Sequence, residues 1–148
     1  MRIYADDVLL LSTSLLYLLP AIVWAIGWFQ DYTPPSTSVM LIGVHVSVAC
    51  AAWLYHSSIE ANYIVLDRSL ARLAIFANAV ACNYDTNSGF AAIGMGVVSL
   101  VVYFTQTGGR ERPPTQGSQK RMKYAWQHSL WHALGSAVGV LVALSRTL

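Results

Sequence analysis

Long apolar stretches separated by short polar segments dominate this sequence. Each of five stretches approaches the length of about 20 residues that a helix needs to cross the hydrocarbon core of a bilayer. The predicted spans are Val8–Trp28, Val39–Ser57, Tyr63–Cys82, Gly89–Thr107 and Tyr124–Ser145. Pro34 and Pro35 mark the first connection, and the longest connection runs from Gly108 to Lys123. The pattern predicts an all-α membrane protein, a bundle of about five transmembrane helices.

The composition supports an integral, multi-pass membrane protein. Hydrophobic residues make up 55% of the 148 residues and charged residues 11%, whereas soluble domains contain about 25% charged residues. A net charge of +2, with aromatic residues in apolar rather than basic stretches, argues against a nucleic-acid partner. The length predicts a single transmembrane domain over residues 1–148, with membrane lipids as its surroundings.

The distribution of positive charge predicts the orientation in the membrane. If the N-terminus is inside, Arg146 is the only Lys or Arg outside. The eight on the inner side are Arg2, Arg68, Arg72, Arg110, Arg112, Lys120, Arg121 and Lys123. We therefore expect the N-terminus inside and the C-terminus outside. The basic loop before the fifth span either serves this orientation alone or also binds an anionic lipid surface or an acidic partner.

Four ionisable residues lie at one predicted depth near the inner face. His128 and His132 are four residues apart in the fifth span, which on a helix places them about 40° apart around the axis and about 6 Å along it. His56 closes the second span, and Asp67 lies just over one turn into the third. Because ionisable groups are costly inside a bilayer, several at one level predict mutual hydrogen bonding or a functional site.

Three histidines and a carboxylate suit zinc. A catalytic zinc has three protein ligands and keeps one position for water. We predict that His56, His128 and His132 bind Zn²⁺, with Asp67 either as a fourth ligand or as a catalytic base that acts on the zinc-bound water. The alternative for each histidine is a hydrogen bond to a neighbouring helix.

A second polar pair is predicted deeper in the membrane. His45 precedes His56 by eleven residues, and Asn78 follows Asp67 by eleven. Eleven residues of helix correspond to about 20° of rotation and about 16 Å of rise, so each polar pair shares a helix face. Both faces are therefore expected to point into the bundle, where His45 and Asn78 form an interhelical hydrogen bond or a polar lining.

The four residues resemble the motifs of the CREST superfamily, which includes alkaline ceramidases, progestin and adipoQ receptors and myomaker-like proteins. The matching residues are His56 in WLYHSS, Asp67 in IVLDRSLA, and His128 with His132 in HSLWH. The resemblance implies a zinc site formed by the three histidines, with Asp67 near the metal-bound water. It also implies a lipid amide or ester as the substrate.

The chain departs from this family in two respects. It has five predicted helices where family members usually have seven, and Ala52 stands where the family tends to have a serine one turn before the first histidine. Ser57 and Ser58 follow His56 instead. The chain is thus predicted to be a shortened, five-helix relative.

Three functions follow from these residues. The first is a zinc-dependent intramembrane hydrolase of a lipid amide or ester. The alternative is a non-catalytic integral membrane subunit of a larger complex, with a structural or vestigial zinc site, which the missing serine favours. The third is haem ligation by two histidines on different helices, such as His56 and His128. Two histidines one turn apart on one helix suit a small ion better than the two faces of a macrocycle.

Overall fold

The computed structural model describes residues 5–30, 32, 34–58, 61–107 and 119–147. These residues form helices joined by short connections, and they contain no strand. The elements are α1 (Ala5–Ser14), a 3₁₀ turn (Leu15–Tyr17), α2 (Leu18–Phe29), α3 (Pro35–Ser58), α4 (Ala61–Ala81), α5 (Asn87–Thr107) and α6 (Gln119–Thr147). The prediction of an all-α helical bundle is confirmed.

Within the part of the chain that the structure describes, four segments are long and apolar enough to cross a membrane, as expected for a multi-pass integral membrane protein. They are Asp7–Phe29, Ser36–Ser57, Asn87–Thr105 and Arg121–Arg146. The third predicted span corresponds to α4, which has 21 residues but contains Asp67, Arg68 and Arg72. Its length matches the other spans, and its charged residues distinguish it from them.

The first span is interrupted by the 3₁₀ turn, a break that the apolar pattern did not predict. Pro20 lies just after this turn and has no backbone N–H, so it cannot donate the helical hydrogen bond to the carbonyl of Leu16. The hydroxyl of Ser136 in α6 donates to that carbonyl at 2.6 Å. A side chain of another helix thus donates to the carbonyl that proline cannot bond, and polar groups inside a bilayer need such partners within the protein.

Two predicted boundaries are wrong by about one turn. The second span was expected to begin at Val39, but α3 begins at Pro35, because proline suits the first position of a helix. The loop that was expected to reach Lys123 ends earlier, since α6 begins at Gln119. Long basic side chains are good helix formers, so this polar segment extends the helix rather than the loop.

The helices pack around α6, which contacts the first span, α5 and α4, while α3 contacts the first span and α4. In the described residues, no Cα atoms of α3 and α6 lie within 8 Å of each other, and the same holds for α4 and α5. The backbones of α3 and α6 are therefore farther apart than those of the contacting helices, and so are the backbones of α4 and α5. The side chains of the candidate site lie between the helices of these two pairs.

At Gly139, α6 packs closely against two rings, the proline ring of Pro20 in α2 and the imidazole of His45 in α3. A Cβ atom there would lie 2.7 Å from Cγ of Pro20 and 2.8 Å from Cε1 of His45. Small residues allow such approaches between membrane helices. The proline ring and the imidazole ring therefore use the space that glycine leaves.

We predict that Gly139→Ala destabilises the protein by about 1–3 kcal/mol, because overpacking costs more than the helix propensity of alanine returns. Thermal unfolding in detergent measures this change. Gly43→Ala is the matched control, since a Cβ atom there meets nothing within 4 Å; it should leave the melting temperature unchanged or raise it. Equal melting temperatures of both variants would contradict the prediction.

Candidate metal centre

Three buried histidines meet in the space between α3 and α6. Each of His56, His128 and His132 offers one ring nitrogen, and these nitrogens lie within 4.8 Å of one another. Their ring centroids are 4.6 Å apart for His128 and His132, 5.0 Å for His56 and His128, and 5.4 Å for His56 and His132. The imidazoles thus bridge two helices whose backbones do not approach each other.

The helices explain this convergence. His128 and His132 are one turn apart on α6 and point in the same direction, and His56 lies in the last turn of α3. All three side chains are at least 90% buried. The structure therefore brings together the three histidines that the sequence predicted as ligands.

The Nε2 atoms of all three histidines are buried and have no hydrogen-bond partner among the described residues. A buried polar atom without a partner costs roughly 1–3 kcal/mol, so three at one place require an explanation. Three imidazole nitrogens are a ligand set for zinc, copper, nickel or iron, and the three-histidine set with an open position is typical of catalytic zinc.

The size of the group also fits a metal ion. Nitrogens bound to one tetrahedral zinc at about 2.0–2.1 Å lie roughly 3.4 Å apart. The 4.8 Å limit for the three nitrogens is wider, so the imidazoles would have to turn toward one another to hold one ion. By contrast, the edge-on contact of His56 with His128 leaves no room for a macrocycle between them.

Three tyrosines surround the histidines, each with its ring against one imidazole. The ring centroid of Tyr17 lies 5.4 Å from that of His132, Tyr55 lies 4.7 Å from His56, and Tyr124 stacks on His128 at 5.2 Å.

Sequence reasoning missed this aromatic shell. Tyr55 precedes His56 directly, and Tyr124 lies four residues, or one helical turn, before His128. The sequence spacing of these two tyrosines could therefore have predicted that they lie near the histidines. Tyr17 had none, because the first span contains no other indication that it faces the histidines.

Asp67 lies buried in α4, with 4% of its surface exposed. It is not among the side chains that lie within 4.8 Å of one another. Asp67 is within electrostatic range of the hydroxyl groups of Tyr17, Tyr55 and Tyr124 and of the Arg68 guanidinium. The carboxylate therefore lies in the neighbourhood of the tyrosines, and its catalytic role stays a prediction.

Arg121 is buried in α6, although the sequence placed it in the basic loop. Its side chain is 1% exposed, and its Nη2 donates to Oδ1 of Asp7 at 3.4 Å. The guanidinium lies 5.4 Å from the ring centroid of Tyr124. It thus links α1, α6 and the aromatic shell. Of the other basic residues assigned to that loop, Arg110 and Arg112 lie outside the described residues.

Ala52 stands at the position where CREST proteins tend to have a serine, and its side chain packs inside the bundle. Ala52 is fully buried. Ser57 does not replace the serine here, because its hydroxyl is on the exposed side of α3 and donates to the carbonyl of Leu54 at 3.0 Å. The side chain of Ser58 lies outside the described residues.

A cavity of about 250 Å³ lies between α4 and α5, where the two helices are apart. Its walls are mostly apolar, and they include Ala74, Ile75, Ile93, Val97 and Val138. Tyr17 and Trp131 also line the cavity, and both rings contact His132. The cavity therefore extends to the residues that surround the histidines.

The predicted interhelical hydrogen bond of the second polar pair is confirmed. Nε2 of His45 lies 3.3 Å from Oδ1 of Asn78. Because an amide oxygen only accepts, the His45 nitrogen donates in this bond. Both residues line the same cavity, so the pair connects α3 with α4 and provides part of a polar wall.

No family model, curated protein or solved structure matches this chain. The resemblance to the CREST superfamily therefore remains a prediction from four residues, and the function is inferred from the geometry of the site.

We predict that Asp7→Asn lowers the free energy of unfolding by about 3 kcal/mol, because a buried guanidinium loses a charged partner. Chemical unfolding in detergent measures the loss. Asp85→Asn is the control, since Asp85 is exposed in the connection before α5. The same loss in both variants would show that the Arg121 pair contributes nothing specific.

Proposed function

We propose that the protein is a zinc-dependent intramembrane hydrolase that cleaves a lipid amide or ester. The observation that carries this proposal is the convergence of His56, His128 and His132, which each offer a ring nitrogen within 4.8 Å of the others and whose buried Nε2 atoms have no partner among the described residues. Zinc bound by these atoms would supply Lewis-acid chemistry, polarising a carbonyl group and activating water.

The residues around the histidines have separate tasks in this proposal. Asp67 accepts a proton from the attacking water at a carboxylate oxygen and returns it to the leaving amine or alcohol. Burial of the histidines and packing of the tyrosine rings on them exclude bulk water from the site. Electrostatic interactions are stronger in such a dry environment.

The cavity between α4 and α5 supports a lipid substrate. Its apolar walls suit an alkyl chain, and Tyr17 and Trp131 connect it to the histidines. The outer surface of the bundle carries large exposed apolar side chains, among them Phe76, Phe90 and Phe104, as expected where helices face lipid. A lipid can therefore approach from the bilayer, with its acyl chain in the cavity and its carbonyl group toward the histidines.

We predict about one zinc per chain in purified protein, and loss of this zinc in His128→Ala because one of three ligands is removed. Elemental analysis after gel filtration in detergent measures it. His45→Ala is the matched control, since His45 is equally buried but lies outside the trio; it should retain zinc. A folded wild-type chain without zinc would refute the proposal.

We predict that Asp67→Asn retains zinc but hydrolyses lipid at least about 100-fold more slowly, because the proton acceptor is lost. Release of fatty acid from a panel of ceramides and phospholipids, followed by mass spectrometry, measures turnover, with Asp85→Asn as the control. Zinc-loaded wild-type protein that cleaves no member of the panel would favour the alternative, a structural zinc site in a non-catalytic membrane subunit. Migration only within a large complex on blue-native gels would identify that subunit.

A further inference from the structure

We propose that Thr13 of α1 is a positioning residue for the metal centre. It holds the ring hydrogen of His132 on Nδ1, so that Nε2 presents its lone pair to the metal. This inference rests on the proposed zinc site, and it concerns a residue of the first span, where the sequence indicated no functional group.

The hydrogen bonds of Thr13 determine which atom donates. A threonine hydroxyl has one hydrogen and two acceptor lone pairs. Oγ1 of Thr13 lies 2.9 Å from the carbonyl oxygen of Leu9, 3.2 Å from that of Leu10 and 3.2 Å from Nδ1 of His132, and it also contacts Oγ of Ser129 at 3.1 Å. Threonine hydroxyls in helices commonly donate to the carbonyl four residues earlier, and the Leu9 carbonyl is the nearest of these acceptors. With the threonine hydrogen on that bond, a lone pair of Oγ1 accepts from Nδ1 of His132.

This arrangement sets the state of His132. A neutral imidazole has one N–H and one lone pair, so a hydrogen on Nδ1 leaves the lone pair on Nε2. Nε2 of His132 is one of the three buried nitrogens without a partner. The nitrogen that donates to Thr13 is thus on the other side of the ring from the buried nitrogen without a partner. Such outer hydrogen bonds orient metal-binding histidines, and their loss typically costs 10–100-fold in metal affinity.

The contact also explains why α1 packs against α6 at this level. Thr13 lies one turn before Tyr17, whose ring contacts the same imidazole. One short segment of the first span therefore contacts His132 through both a hydroxyl and an aromatic ring. It fixes the direction of the ring as well as the position of its hydrogen.

The test compares the zinc affinity of three variants of the full chain in detergent, using Zn²⁺ alone in competition with a chelator. Thr13→Val keeps the shape but loses the hydroxyl, and it should bind zinc 10–100-fold more weakly. Thr13→Ser keeps the hydroxyl and should stay within a few-fold of wild type. Thr105→Val is the matched control, because Thr105 donates to the carbonyl of Val101 at 2.8 Å on the exposed side of α5.

The outcomes separate this inference from the proposed function. Wild-type protein that binds zinc, together with Thr13→Val of equal affinity, overturns the role of Thr13 and leaves the zinc site intact. Wild-type protein that binds no zinc overturns both. If Thr13→Val does not fold, the ¹⁵N chemical shifts of His132 in the metal-free wild-type chain decide. A hydrogen on Nδ1 supports the inference, and a hydrogen on Nε2 overturns it.

Discussion

The structure depends on one constraint, which is that a polar atom inside a bilayer must find its partner within the protein. Most of the buried polar groups meet it through contacts between helices. Ser136 donates to the carbonyl that Pro20 cannot bond, and Asp7 pairs with Arg121. Among the described residues, Trp24 and His45 each keep one buried nitrogen without a partner, and the other three such nitrogens belong to the histidines that meet between α3 and α6. A cluster of this kind is expected where a ligand completes the bonding.

The histidines also affect how the bundle is held together. They occupy the space between α3 and α6, whose backbones are not in contact, so an ion bound by them would join these two helices directly. A ligand that binds the folded chain and not the unfolded chain stabilises the folded state. The stabilisation grows with the logarithm of the ratio of ligand concentration to dissociation constant. A metal at this position would therefore contribute to folding as well as to chemistry, whichever of the two the protein uses.

The apolar pattern predicted the helical class and the number of segments because segment length and hydropathy are local properties. The trio of histidines was predictable for a similar reason, since topology alone places His56, His128 and His132 at one depth. Thr13 and Tyr17 were not predictable, because their position depends on how the first span rotates against α6. The burial of Arg121 was missed because a basic run at a helix start looks the same whether the side chain faces solvent or an acidic partner.

The cavity between α4 and α5 bears on how a lipid substrate of the proposed hydrolase would reach the interior. Entry between these two helices would occur sideways, from the hydrocarbon phase rather than from the aqueous phase. The arrival rate would then depend on two-dimensional diffusion within a leaflet and on the mole fraction of the molecule among the surrounding lipids. Changes in bilayer composition would alter occupancy of the interior even if the total amount of that molecule in the cell stayed constant.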